Sequence, residues 1–140
     1  YQVFCIMGDG EIQEGQIWEA AMAAAHYQAD NLIAFVDNNK LQLDGPLTEV
    51  MSPYPIGEKF KAFGWNVLEI DGHDVEQIAD AIEQASALKG KPSVIVADTI
   101  KGKGVSVFEN QVRFHGGQPT KEEWEIAYTE LNDRIRELEG

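Results

Sequence analysis

Three places along the chain carry side chains able to do chemistry, and each follows a short apolar run. Gly8-Asp9-Gly10 closes the run Val3-Phe4-Cys5-Ile6-Met7, and Asp37-Asn38-Asn39 closes a second at residues 32–36. After a later run at 93–97 comes a glycine- and lysine-bearing stretch, 101–117, containing Lys101, Lys103 and His115. An aspartate carboxylate and an asparagine amide oxygen are hard donors of the kind Mg2+ or Ca2+ prefers. Neither place offers the Cys or His pairs that zinc takes. Taken singly, each motif has a plainer use. Gly-Asp-Gly is a good turn, Asn-Asn suits a turn with a left-handed residue, and loop lysines are ordinarily solvated. A phosphatase-type metal site also sets Gly-Asp-Gly at a strand end, but it needs an Asn-Asp pair just after it; here Glu11-Ile12-Gln13-Glu14 follows.

The elements that must position these residues are legible in the hydrophobic pattern. The continuous apolar run at 3–7 suits a parallel strand buried on both faces, 32–36 is a second apolar run, and residues 67–70 and 93–97 make a third and a fourth strand. Residues 13–29 turn helical, with Ile17, Trp18, Ala21, Ala24 and Ala25 at helical spacing and alanines that let the helix lie close to a sheet. A shorter helix is predicted over 57–63. Asp74-Val75-Glu76-Gln77 has the form of a capping box before a helix whose Val75, Ile78, Ala79, Ile82 and Ala85 line one face. Thr120 and Glu123 form a second box before a helix carrying Trp124, Ala127, Leu131, Ile135 and Leu138. Strands joined by helices predict an α/β fold: a mostly parallel sheet flanked by helices, with right-handed crossovers. The length suits a single domain over residues 1–140. Ligands of such sheets bind at the carboxyl ends of the strands, near a switch in strand order. If the first two strands are neighbours, Asp9 and Asn39 meet at one edge.

Composition narrows the classes. A net charge of −13 argues against nucleic acid, whose phosphates select basic surfaces. No apolar run approaches the ~20 residues that span a bilayer, and no signal peptide is visible, so no membrane partner is expected. Cys5 has no second cysteine to pair with, which points to a reducing, cytoplasmic setting. An acidic protein that binds an anion needs local positive charge from a metal ion, helix N-termini or a few placed lysines. The chain opens on Tyr1 and goes straight into a strand-like run, as a piece of something longer would. His26 and His73 read as structural residues near a helix end and in a turn; Trp18, Trp65 and Trp124 read as core or interface.

The combination of motifs is more specific than its parts. Gly8-Asp9-Gly10 followed by Asn38-Asn39 resembles the thiamine-diphosphate signature, which begins Gly-Asp-Gly and ends Asn-Asn. Gly8-Asp9-Gly10-Glu11, Glu14-Gly15 and Trp18-Glu19-Ala20 resemble the metal-binding segment of the transketolase family, and Asp37 through Gly45 its cofactor loop. Phe63-Gly64-Trp65, Ile70-Asp71-Gly72-His73-Asp74, Thr99-Ile100-Lys101-Gly102-Lys103-Gly104 and Phe114-His115-Gly116 extend the likeness over nearly the whole chain. It is closest to the N-terminal subunit of split bacterial transketolases. The resemblance implies a diphosphate-binding domain, incomplete at its N-terminus.

It also implies roles. Asp9, the Asn39 side-chain oxygen and the Leu41 carbonyl would bind the metal, Mg2+ or alternatively Ca2+. Two diphosphate oxygens and a water would complete the octahedron. Gly8, Gly10 and Glu11 would lie along the cofactor, with the Gly10 N–H meeting the diphosphate. Leu41 and Leu43 would lie beside the cofactor rings, although core packing accounts for them equally well. His115 would sit near the diphosphate and the first carbons of a donor sugar, able to donate a hydrogen bond or move a proton. Lys101 stands where an apolar residue is usual in the longer enzymes, and its charge could hold a phosphate. Glu14 would lie where two subunits meet.

The implied activity is transfer of a two-carbon ketol unit from a ketose phosphate to an aldose phosphate. The glutamate that activates the aminopyrimidine belongs to a pyrimidine-binding domain, which no segment here resembles. The expectation is therefore a chain inactive alone, completed by another chain in a dimer or heterotetramer. Two other readings remain: a deoxyxylulose-phosphate synthase or 2-oxoacid decarboxylating component, which use a similar diphosphate site, and a non-catalytic structural subunit that keeps the fold.

Overall fold

The computed structural model describes residues 1–140. In chain order the elements are β1 (Val3–Gly8), α1 (Gly15–His26), β2 (Leu32–Asn38), β3 (Leu41–Gln42), β4 (Gly45–Pro46), α2 (Leu47–Val50), α3 (Ile56–Ala62), β5 (Asn66–Asp71), α4 (Val75–Ala87), β6 (Ser93–Asp98) and α5 (Lys121–Glu139). Short 3-10 turns occupy Glu11–Gln13 and Val112–His115. Four strands form one parallel sheet in the order β1-β2-β6-β5, while β3 and β4 pair as a small antiparallel hairpin. The α/β architecture is the one the alternating pattern predicts.

Connectivity explains which face each helix covers. The β1-α1-β2 unit steps one way across the sheet and β5-α4-β6 steps the other way. Right-handed crossovers then put α1 and α4 on opposite faces. The strand side chains sort accordingly, alternating with period two. Met7, Ala34, Val36, Val94 and Val96 join Ala21 of α1 and Phe60 of α3 in one core. Ile33 and Ile95 meet Ala81 and Ala85 of α4 in the other. Trp65 is buried in the first core, where its indole N–H donates to the Ala21 carbonyl at 2.8 Å. Trp18 is partly buried there, its ring 5.8 Å from that of Phe63.

Several expectations need correction. The β1 run reads as a strand buried on both faces, yet Phe4 and Ile6 are 50% and 76% exposed. Their register partners Ile33 and Phe35 lie on the α4 face. α4 packs over β2, β6 and β5 and does not extend over β1. β6, with Val94, Ile95 and Val96 all buried, is covered on both faces, and β2 sets Ile33 in one core and Ala34 and Val36 in the other. In α4, Val75 and Ala79 are exposed; Ala81 and Ala85 make the buried row, flanked by Ile78 and Ile82. The Asp74 cap is half of a box. Asp74 accepts from Glu76 N and Gln77 N, but the Gln77 side-chain oxygen turns back to Asp71 N. The Thr120–Glu123 box is complete.

Of the apolar residues expected on one face of α5, only Ala127 is buried; Trp124, Leu131, Ile135 and Leu138 are exposed. This helix rests on the 101–117 segment, where Ser106 bonds Glu130 and Arg113 pairs with Glu123, and not on the sheet. No helix is long and apolar enough to cross a membrane.

Candidate functional site

The site grows out of strand register. β1 and β2 are paired so that Gly8 lies opposite Asp37, and one residue on, Asp9 N donates to the Asp37 carbonyl at 3.1 Å. The two tips therefore end side by side, and Asp9 and Asn39 share one edge. Asp9 is 1% exposed. Its carboxylate accepts from the Lys40 N–H, the residue after Asn39. That bond needs the chain to reverse at Lys40, which takes φ +69; the left-handed residue of this turn is thus the lysine, not an asparagine. Asn39 is oriented by two bonds. Its Nδ2 donates to Asp37 Oδ2 at 3.2 Å, and its Oδ1 accepts from Leu41 N at 3.0 Å.

Burial is the main force on the Asp9 carboxyl and pushes its pKa above the usual aspartate value. Backbone N–H bonds from Lys40 and Gly10 pull against it, and the neighbouring Asp37 charge adds to the rise. A buried carboxylate in this state lacks positive charge. Around it, the Asn39 oxygen keeps a lone pair beyond its bond to Leu41. Leu41 and Pro46 are register partners, and Leu47 N donates to the Lys40 carbonyl. Leu41 and Pro46 therefore form a pair without bonds between them, and the Leu41 carbonyl turns away from the hairpin partner. No three His, Cys, Asp or Glu side chains converge to form a cage. A cation held here would sit among one carboxylate, one amide and main-chain oxygens, a hard set suited to Mg2+ or Ca2+ and not to zinc.

The remaining predicted residues fall at varied distances from this centre. Around Gly10 a β-carbon would lie 3.2 Å from Gln42 Cβ and Oε1, so the glycine lets the chain pass close to the hairpin. Glu11 is exposed, and its carboxylate accepts from Gly8 N at 3.2 Å, tying the turn internally. Leu41 is half-buried, whereas Leu43 is 67% exposed at the hairpin end. The turn Val112–His115 packs beside β3, which brings the His115 segment to the Leu41 strand; His115 itself is exposed. Glu14 is exposed at the start of α1 and makes no capping bond.

A polar lattice missed by motif reading joins the strand tips. Thr99 Oγ1 donates to Asp37 Oδ1, and Lys40 Nζ pairs with Asp98. Tyr54 OH donates to Asn38 Oδ1 at 2.9 Å. Its phenol is pushed above the ordinary tyrosine value by burial first, then by the Asp9 and Asp98 charges. Beside this lattice lies an open cavity of about 740 Å3, lined by Lys40, Tyr54, His73, Asp98, Thr99 and Lys103 among others. It sits over the tips of β2, β6 and β5, where the direction of strand addition reverses, as the fold rule predicts. Lys103 lines it and Lys101 does not. Spacing in sequence carries no signal for this lattice, since Lys40 and Asp98 are 58 positions apart.

Comparison with known proteins agrees with the geometry. Residues 1–132 match the family model described as transketolase, thiamine diphosphate binding domain. The chain is 49% identical over 129 residues to the 6-deoxy-6-sulfo-D-fructose transketolase subunit SqwG of Clostridium sp. (strain MSTE9), covering 92% of this chain and 47% of that protein. It is 43% identical over 139 residues to an apulose-4-phosphate transketolase subunit of Phocaeicola vulgatus, covering 99% and 50%. The chain thus spans about half the length of these curated relatives. Among solved structures, the transketolase of Campylobacter jejuni superposes with a TM-score of 0.84 at 34% identity, covering 91% of this chain and 20% of that one. The Pichia stipitis transketolase, solved with sedoheptulose 7-phosphate, gives 0.85 at 32%, covering 91% and 19%.

Proposed function

Because the chain belongs to the transketolase family, matching its thiamine-diphosphate-binding domain over residues 1–132, we propose that it supplies the metal and diphosphate half of a transketolase active site. The observation that carries this reading is the buried Asp9 carboxylate beside the Asn39 amide at two paired strand tips. In this reading Asp9, Asn39 Oδ1 and the Leu41 carbonyl hold Mg2+, or Ca2+ in its place. The cation neutralises the diphosphate that the net charge of −13 would otherwise repel. Gly10 lets the main chain approach the diphosphate. His115 reaches the substrate side, where its imidazole donates to a developing alkoxide or moves its proton. Lys103 and Lys101 offer charge to a sugar phosphate, with Lys103 the better placed of the two. When bound, the coenzyme supplies the carbanion chemistry of two-carbon ketol transfer between a ketose phosphate and an aldose phosphate.

The partner in this proposal is a chain carrying the pyrimidine-binding domain, in a dimer or heterotetramer. The named relatives are themselves subunits, which supports this arrangement. The free thiol of Cys5 is exposed and fits a reducing, cytoplasmic setting, which is part of the same proposal. The test mixes this chain with a pyrimidine-domain chain. Ketol transfer is expected only in the mixture, with thiamine-diphosphate binding that needs Mg2+ and is lost in Asp9→Ala. Full turnover by the isolated chain defeats the two-chain reading. Coenzyme binding that persists in the absence of Mg2+ defeats the assignment of the metal site. Product analysis with pyruvate against a ketose phosphate separates transketolase from the synthase and decarboxylating alternatives.

A further inference from the structure

The turn Asp71-Gly72-His73-Asp74 lies between β5 and α4; it lines the cavity but holds none of the metal, coenzyme or substrate groups assigned above. Its contacts point elsewhere than to its own helix. Asp74 is the N-cap of α4, so the cap does not need His73. The His73 main chain is fixed by its N–H donating to Asp71 Oδ1 at 2.8 Å. Its side chain reaches across to β6, where Nε2 accepts from Ile100 N at 2.8 Å, 27 positions on. Next to it, Gly72 N donates to the Asp98 carbonyl at 2.8 Å. The turn is pressed against the β6 tip. A β-carbon on Gly72 would lie 2.4 Å from Thr99 Cγ2 and 3.0 Å from Ala97 Cβ.

Ile100 is where the chain leaves the sheet. Thr99 N still bonds the Asn38 carbonyl at 3.2 Å, and Thr99 Oγ1 bonds Asp37, whose other oxygen orients Asn39. After Ile100 the chain turns through Gly102 at φ +73 into the segment that bears Lys103 and, further on, His115. His73 and Ile100 both line the cavity over the strand tips. The imidazole can accept from Ile100 only with Nε2 unprotonated and the proton on Nδ1.

From these contacts we propose that His73 is a positioning residue: its imidazole clamps the first turn after β6, fixing the substrate-side wall against the strand tips that carry Asn39. The proposal rests on the half-site reading above and adds to it a residue that touches neither metal nor coenzyme. Loss of the clamp frees residues 99–104 and weakens whatever those residues and the Thr99–Asp37–Asn39 chain hold in place.

Two variants separate the clamp from a mere turn residue. His73→Gln keeps an acceptor near the Nε2 position, and His73→Leu removes it. His73→Asn, whose amide is too short to reach, replaces the leucine variant if that one folds poorly. Amide hydrogen exchange of the isolated chain, without coenzyme, reads the clamp directly. Exchange at residues 99–104 is expected to rise about five- to tenfold in His73→Leu, the scale of one net hydrogen bond, with β1 and β2 unchanged and His73→Gln close to the parent. Calorimetry of the complex with the pyrimidine-domain chain, using thiamine diphosphate and Mg2+, then reads the consequence. Affinity is expected to fall severalfold in His73→Leu and to return in His73→Gln. Unchanged exchange at 99–104, a glutamine variant as loose as the leucine one, or full affinity in a loosened variant each overturns the proposal. A parent complex that binds no thiamine diphosphate, with the exchange pattern as expected, overturns the half-site reading and leaves the clamp standing.

Discussion

The two walls of the proposed half-site are built by different means. On the β1–β2 side, strand register alone brings Gly8 opposite Asp37 and buries Asp9 to 1% exposure, with main-chain N–H groups as its partners. On the β6 side, residues 99–117 carry no strand and are set by turns, glycines at positive φ and side-chain bonds from Glu109, Glu130 and His73. His115 and Lys103 are exposed on this wall. The comparison teaches that the first wall is specified by the sheet, so its geometry persists with or without a ligand. The second is specified residue by residue, and single contacts can move it.

The largest test of that contrast is Asp9→Asn. Replacing the one buried carboxylate is expected to lower Mg2+-dependent thiamine-diphosphate binding by more than ~100-fold, beyond the ~10–100-fold typical of changes around a metal's outer shell. The same change removes a desolvated charge beside Asp37 while keeping an acceptor for Lys40 N. The cation-free chain is therefore expected to melt higher than the parent, by on the order of 1 kcal/mol. Calorimetry and thermal melts without metal measure the two effects. A lower melting point in Asp9→Asn would break the idea that the buried Asp9 charge lacks a positive partner until a cation binds.

His115→Ala comes next and addresses the open wall. Removing an exposed imidazole should leave stability within ~0.5 kcal/mol. Turnover of the two-chain complex is expected to fall about 100-fold, the lower range for a group that moves a proton. Equal turnover in variant and parent would take His115 out of the chemistry.

A pair of glycine substitutions then sharpens the comparison within the fold itself. At Gly102, φ +73 and a Phe108 carbonyl 2.6 Å from any β-carbon make Gly102→Ala cost roughly 2 kcal/mol. At Gly10 the nearest atoms are Gln42 Oε1, which can turn aside, and Gln42 Cβ, which at 3.2 Å must give by only a few tenths of an ångström. Gly10→Ala should cost less than ~1 kcal/mol of stability yet weaken coenzyme binding about tenfold. Urea melts and calorimetry on both variants read the contrast. The two walls differ as described only if Gly102→Ala loses more stability and Gly10→Ala more binding in proportion.

The same contrast explains what the sequence reveals. Apolar runs, helical spacing and the Thr120 box disclose the α/β alternation, because these signals are local in the chain. The meeting of Asp9 with Asn39 is also legible, since one crossover unit separates them and neighbouring parallel strands follow from it. Burial is less legible. The β1 and β6 runs look alike, but only β6 has helices on both faces; composition reports what a strand could bury, not what covers it. In α5 the periodicity marks a face without naming a partner, and only Ala127 is buried. The lattice of Lys40, Asp98, Thr99 and His73 leaves no pattern, because each bond joins residues brought together by sheet order alone.

The smallest effect expected concerns the cap beside His73. Asp74 is held below the usual carboxylate range chiefly by the Gln77 backbone N–H, with the Gln77 side chain adding to it. A folded-state pKa below the unfolded value means the carboxylate contributes stability above the unfolded value, near ~3.9, and loses it as pH falls through the folded one. Asp74→Asn keeps an acceptor for the α4 N-terminus but cannot titrate. The melting points of variant and parent should therefore differ most at pH 5, with the parent higher, and converge toward pH 2. Because Asp74 starts the helix that follows His73, exchange at residues 99–104 in this variant tests how local the second wall is. No change there means the clamp depends on the imidazole alone; a rise means the cap also holds the turn against β6.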